Sequence, residues 1–139
     1  MQSATVGAFG PAGVARPVTR AIGWVRVAVG AGLLLRPRWL PATVAFHAGS
    51  APDQQWLVQM MAAREAGLGV GTLAALRAGD GLRPWLWAQA LSDAGDAVAF
   101  LSLTGRPVGR RRAAGLAGFA VSGALADLLL ARALRYRQS

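Results

Sequence analysis

The stretch Trp85–Leu103, WLWAQALSDAGDAVAFLSL, limits the fold more than any other part of the chain. As a helix its nineteen residues rise about 28 Å, close to the thickness of a bilayer's hydrocarbon layer. Asp93 and Asp96 lie near its middle. A carboxylate in hydrocarbon requires a cationic partner, a proton or a functional reason to be there. This segment therefore demands neighbours that present charge or hydrogen bonds at matching depth.

The rest of the composition points the same way. Apolar residues make up 54% of the chain and charged residues 15%, where an ordinary soluble domain has about 25% charged. Mean hydropathy is +0.38. The formal charge is +9, and all fifteen basic residues are arginine. They flank apolar runs, where they meet anionic head groups, and no basic patch is interleaved with aromatics as in a nucleic-acid module. A nucleic-acid partner is not expected. The all-arginine usage, with abundant Ala and Gly, reads as the coding bias of a GC-rich bacterial genome rather than a functional signal. Cysteine is absent, which excludes disulfides, thiolate nucleophiles and Cys-based metal or redox sites. His47 is the only histidine and reads as a solvated or head-group-level residue. Neither a His-cluster metal site nor a spare-His triad is available, and no catalytic residue, metal or cofactor is expected.

Four spans are read, at about 18–35, 56–76, 84–103 and 113–133, forming one domain over 18–137. Residues 1–17 read as a flexible Gly/Ala-rich tail with two prolines. A cleavable signal peptide with Ala21–Leu35 as its apolar region is the competing reading there. Arg36-Pro37-Arg38-Trp39 closes span one with charge, a helix breaker and an interfacial aromatic. Leu40–Gln55 is too polar and broken to span, and reads as an interfacial loop with a short helix around Thr43–Phe46. Gly79 and Gly81 mark a tight turn, and Pro84 opens span three. Gly67, Gly69 and Gly71 in span two, and Gly118-x-x-x-Ser122 in span four, are small-residue packing faces. The fold class is all-α: an antiparallel four-transmembrane-helix bundle with short connections. A soluble helical bundle is the competing class, because no span is an unbroken apolar run. Arginines divide seven to six between the two ends, with a lean toward both termini in the cytoplasm.

Four of the six acids, Glu65, Asp93, Asp96 and Asp127, fall inside spans, while the loops are nearly all arginine. Soluble helices show the opposite distribution. On span three, Gln89, Asp93 and Asp96 fall at i, i+4 and i+7, one helical face, with Ser92 beside them. Trp87, Leu91, Val98 and Leu101 fall elsewhere, toward lipid. Depth counting places Arg64 and Glu65 level with Asp93 and Asp96, so Arg64 is the expected partner of this face. The same count pairs Arg26 with Asp127, with Gly123 letting span one approach. Two arginines against four acids leave the core short of positive charge. An acid, with Glu65 and one of Asp93 and Asp96 as candidates, then carries a proton, or a cation or donor-rich ligand sits there. The structural alternative is a polar network that fixes helix register.

Arg64-Glu65-Ala-Gly-Leu68-Gly69 followed by Trp87-Ala-Gln-Ala-Leu-Ser92-Asp93-Ala-Gly-Asp96, with Arg20-x-x-Gly23-x-x-Arg26-x-x-x-Gly30 in span one, resembles a family of small bacterial four-helix membrane proteins of unknown function, similar in layout to the DoxX-like group. The match covers about Ala21–Ala133. The resemblance implies a four-span fold with a shared charged core in the bacterial inner membrane, and carries over no catalytic residue.

The leading expectation is a non-enzymatic membrane protein. Its core, Arg64, Glu65, Asp93, Asp96, Gln89, Arg26 and Asp127, binds a polar ligand, proton or lipid head group, or holds an assembly together. Its partners are the bilayer with its anionic head groups and a membrane protein or second copy. The alternatives are a structural accessory subunit of a membrane redox or transport complex, and a membrane enzyme using the carboxylates.

Overall fold

The computed structural model describes residues 11–39, 55–103 and 110–134. The expected helix at Thr43–Phe46 and His47 lie outside these residues. Among the described residues the chain is all-helical, with four long helices and no strand: α1 Pro11–Leu35, α2 Gln55–Ala78, α3 Leu82–Ser102 and α4 Arg110–Ala133. A single 3-10 turn, Pro37–Trp39, follows α1.

The helix starts differ from the sequence expectation. α1 begins at Pro11 rather than Val18, so residues 11–17 are helix rather than tail. Ala15 and Thr19, one turn apart, are both buried, and the Thr19 hydroxyl donates to the Ala15 carbonyl at 2.8 Å. Packing thus carries the helix through a segment that composition marks as weak. α3 starts at Leu82, so Pro84 sits within its first turn, where a missing N–H breaks no intrahelical bond. The α2–α3 reversal is built on Gly79 and Gly81, with φ of 84° and 64°, left-handed conformations that a side chain would strain.

The helices associate as two hairpins, α1–α2 and α3–α4, each closely packed, with sparser contact between them. In the first, Arg16 donates to the Leu76 carbonyl at 3.3 Å, Gly23 faces Leu73 and Gly69, and Gly30 faces Ala62 and Ala66. The pairs run in opposite numerical directions, so the helices are antiparallel. A Cβ at Gly30 would lie 2.5 Å from the Ala66 nitrogen, and one at Gly69 2.6 Å from the Gly23 carbonyl oxygen. These backbones touch because both residues are glycine. Gly67, expected to share this role, has open space around it. In the second hairpin, α4 buries Ala113, Ala117, Ala120, Ala124, Asp127 and Ala131. That alternating four-and-three spacing is an antiparallel seam, and α3 answers with Leu86, Gln89, Ala90, Asp93 and Ala97. Asp93 and Asp127 thus occupy positions where a soluble bundle would place Leu.

The distribution of apolar size is inverted. Among the described residues, ten of the thirteen buried apolar ones are alanine. Apart from Val58, Leu76 and Leu86, most large ones face outward: Phe119 is 81% exposed, Leu91 75%, Val98 68% and Trp24 60%. Trp87 and Leu101, read as outward-facing, are exposed as well. Among the described residues two helices, over Gly13–Leu35 and Arg110–Ala133, are long and apolar enough to cross a membrane. The other two carry Arg64 and Glu65, and Asp93 and Asp96, within their length.

Candidate functional site

All four helices send charge to one place. Arg26 projects from the α1 face that carries Gly23 and Gly30, into the space between the two hairpins. Its Nη1 donates to Glu65 Oε2 of α2 at 2.5 Å. Its Nη2 donates to Asp93 Oδ2 of α3 at 2.6 Å and reaches Asp127 Oδ2 of α4 at 3.4 Å. One guanidinium thereby links every helix of the bundle. Beside it, Arg64 binds Asp96 through two parallel bonds, Nη1 to Oδ1 at 2.9 Å and Nη2 to Oδ2 at 2.6 Å, the fork geometry that suits a planar cation to a carboxylate. Arg64 Nη2 also lies 3.5 Å from Glu65 Oε1, which joins the two arginine centres into one network.

Burial is graded across the network. Side-chain exposure is 2% for Asp127 and 12% for Arg26 and Asp93, rising to 20% for Glu65, 25% for Asp96 and 36% for Arg64. The Arg64 end opens to an outward-facing groove of about 370 Å³ between α2 and α3, walled by Leu68, Leu91 and Gly95, with Arg64, Ser92 and Asp96 in its lining. The Ser92 hydroxyl and Arg64 Nε have no hydrogen-bond partner among the described residues. The groove is shallow and open, mostly apolar, with the Arg64 and Asp96 head groups as its charged part.

The pairing differs from the depth count in one respect. Arg64 was expected to serve Asp93 and Asp96, but it serves Asp96 and Glu65, and Asp93 goes to Arg26. Asp93 and Asp96 are three residues apart, about 60° around the helix, and this offset is enough for Asp93 to reach Arg26 of α1 and for Asp96 to reach Arg64 of α2. Gly123 likewise admits a different group from the one expected. The Asp93 carboxylate, not α1, fills the space beside it, and a Cβ there would lie 2.6 Å from Asp93 Oδ2. Arg26, expected only as the partner of Asp127, is the hub. The signal for this was its position between Gly23 and Gly30, on the face that must meet α2. Gln89 is fully buried but stands apart from the arginines. Its Nε2 donates to the Thr72 hydroxyl across the hairpin seam. Sequence reasoning did not single out Thr72, although it is a hydroxyl in the apolar part of α2.

The arrangement can do two things chemically. It can hold the hairpins together, since Arg26–Asp93, Arg26–Asp127, Arg64–Asp96 and Thr72–Gln89 all cross the seam. It can also hold positive charge. One oxygen from each of Glu65, Asp93 and Asp96 lies within 4.8 Å of the others, close enough to share a cation by distance alone. Both guanidiniums already engage these carboxylates and would repel a metal ion, so the donor set fits a hard cation poorly. Comparisons with protein-family models, curated proteins and solved structures return no match for this chain.

Proposed function

We propose that this chain is an integral membrane protein of four spans in the bacterial cytoplasmic membrane, and that its charged core is a non-enzymatic binding centre for a small polar ligand. The observation that carries this reading is the inverted packing: large apolar residues outside, alanine, arginine and carboxylates inside. An alanine core buries little apolar area and gives weak cohesion in water, where association scales with buried area. In hydrocarbon the same small residues allow close helix contact, and the inward polar groups act as the adhesive. The resemblance to DoxX-like proteins implies the same four-span layout.

The alternative, a structural accessory subunit, is favoured by the seam itself, because each cross-hairpin bond would serve as well to fix helix register as to bind a ligand. The groove beside Arg64, with the Arg64 and Asp96 head groups in its lining, is what favours the ligand reading.

The test exploits the absence of native cysteine. The protein is expected to stay in the membrane pellet through an alkaline carbonate wash. Asp80→Cys and Ser139→Cys should react with an impermeant maleimide from one face, and Thr104→Cys from the other. Extraction by carbonate, or labelling of all three from one face, rejects the four-span reading.

A further inference from the structure

The charge deficit of the core has a specific location. Arg64 is taken up mainly by Asp96, through two bonds. The remaining three acids, Glu65, Asp93 and Asp127, share Arg26. Within that group the acids are not equal. Glu65 and Asp93 hold Arg26 at 2.5 Å and 2.6 Å, and Glu65 has Arg64 as a second cation. Asp127 reaches Arg26 only at 3.4 Å. It is the most buried of the four, at 1% exposure for the whole residue, and its Oδ1 has no hydrogen-bond partner among the described residues. It sits in the alanine seam of α4, one turn from Gly123, where Asp93 packs.

We propose that Asp127 is a proton-binding site, carrying one proton at neutral pH under the Arg26–Asp93 pair. This rests on the reading that the bundle lies in a membrane, and it names the ligand of the buried half of the core. An ionised carboxylate at this burial, with one long contact and one bare oxygen, is the arrangement that a low-dielectric interior tolerates least. Every charged neighbour works in the same sense except Arg26: Asp93 on α3 and Glu65 on α2 repel a fourth negative charge, while the Arg26 donors are already committed to them. Arg64 is paired with Asp96 on the far side. Protonating Asp127 leaves three carboxylates on two guanidiniums. The remaining negative charge then falls on Glu65, which lies between the two guanidiniums, toward the end of the network that opens to the groove. The proton and the groove thus occupy opposite ends of one hydrogen-bonded chain.

Infrared spectroscopy of the full-length protein, in a detergent without ester carbonyls, tests this directly through the C=O stretch of a protonated carboxyl. The wild type should show one such band at neutral pH. Asp127→Asn should remove it, Asp127→Glu should shift it, and the exposed-turn variant Asp80→Asn should leave it in place. A wild-type spectrum without the band at neutral pH overturns the proposal, and needs no variant to fold. So does a band that survives Asp127→Asn, or one that sodium chloride abolishes, since the second would put a metal cation where the proton is assigned. If Asp127→Asn does not fold, the shift in Asp127→Glu decides. Loss of the band with the protein still carbonate-resistant rejects the proton and spares the membrane reading. Carbonate extraction rejects the membrane reading whatever the spectrum shows.

Discussion

Replacing Arg26 by methionine keeps most of the apolar stem and removes the one cation that serves three acids. The size of the effect follows from burial. Arg26 and Asp93 side chains are 12% exposed and Asp127 2%, well inside the range where solvent screening is weak. Breaking a buried ion pair from one side costs about 3–5 kcal/mol, because the other charge is left uncompensated. Against a typical total stability of roughly 5–15 kcal/mol, Arg26→Met should be close to unfolding. Arg64→Met is the internal comparison. At 36% exposure for Arg64 and 25% for Asp96, its cost falls between the exposed-pair and buried-pair scales, about 1–2 kcal/mol. The assay is reversible unfolding in mixed detergent micelles, read by helical signal. The orphaned carboxylates of Arg26→Met can neutralise by protonation, so its deficit should shrink as pH falls. Adding Asp93→Asn should restore part of the loss, with non-additivity in the 0.5–3 kcal/mol range typical of contacting groups. A cost for Arg26→Met no larger than that for Arg64→Met would refute the assignment of Arg26 as hub.

Other substitutions probe separate links. Gly30→Ala should loosen the α1–α2 hairpin and lower the melting temperature, because its Cβ would lie 2.5 Å from the Ala66 nitrogen. Gly67→Ala, with nothing in reach, should be neutral or stabilise by up to ~1 kcal/mol, so equal effects at the two sites would contradict the packing. Gly123→Ala should displace Asp93 from Arg26 and lower stability, and Asp93→Ala in the same chain should relieve most of that loss, as a double-mutant cycle would show. Thr72→Val removes the hydroxyl that Gln89 donates to, and should cost about 0.6 kcal/mol and no more than about 1.7, the measured span for interhelical hydrogen bonds in lipid.

The existence of four helices was legible because their apolar stretches are long and their interruptions are turn residues, Gly79-Asp80-Gly81 above all. Helix starts were less legible, since Ala15 and Thr19 hold the beginning of α1 by contacts that no local propensity reveals. The members of the charged core were visible in the sequence because acids inside apolar stretches are costly wherever they fall. Their partners were not, because depth counting fixes height along the bundle axis but not direction around it. Asp93 and Asp96 are level to within one turn and still face different helices. The spacing of Ala113, Ala117, Ala120 and Ala124 already pointed to Asp127 as a seam position, a stronger signal than its depth.

The inverted surface is stable only if it lies in hydrocarbon. Leu91 and Phe119 are 75% and 81% exposed, so in water a cysteine at either position would be as reactive as one at the exposed turn residue Asp80. In intact membranes, Leu91→Cys and Phe119→Cys should stay unlabelled by a water-soluble maleimide and react only after detergent is added, while Asp80→Cys labels throughout from its own face. Labelling of Leu91→Cys and Phe119→Cys at the Asp80→Cys rate, without detergent, would contradict the account.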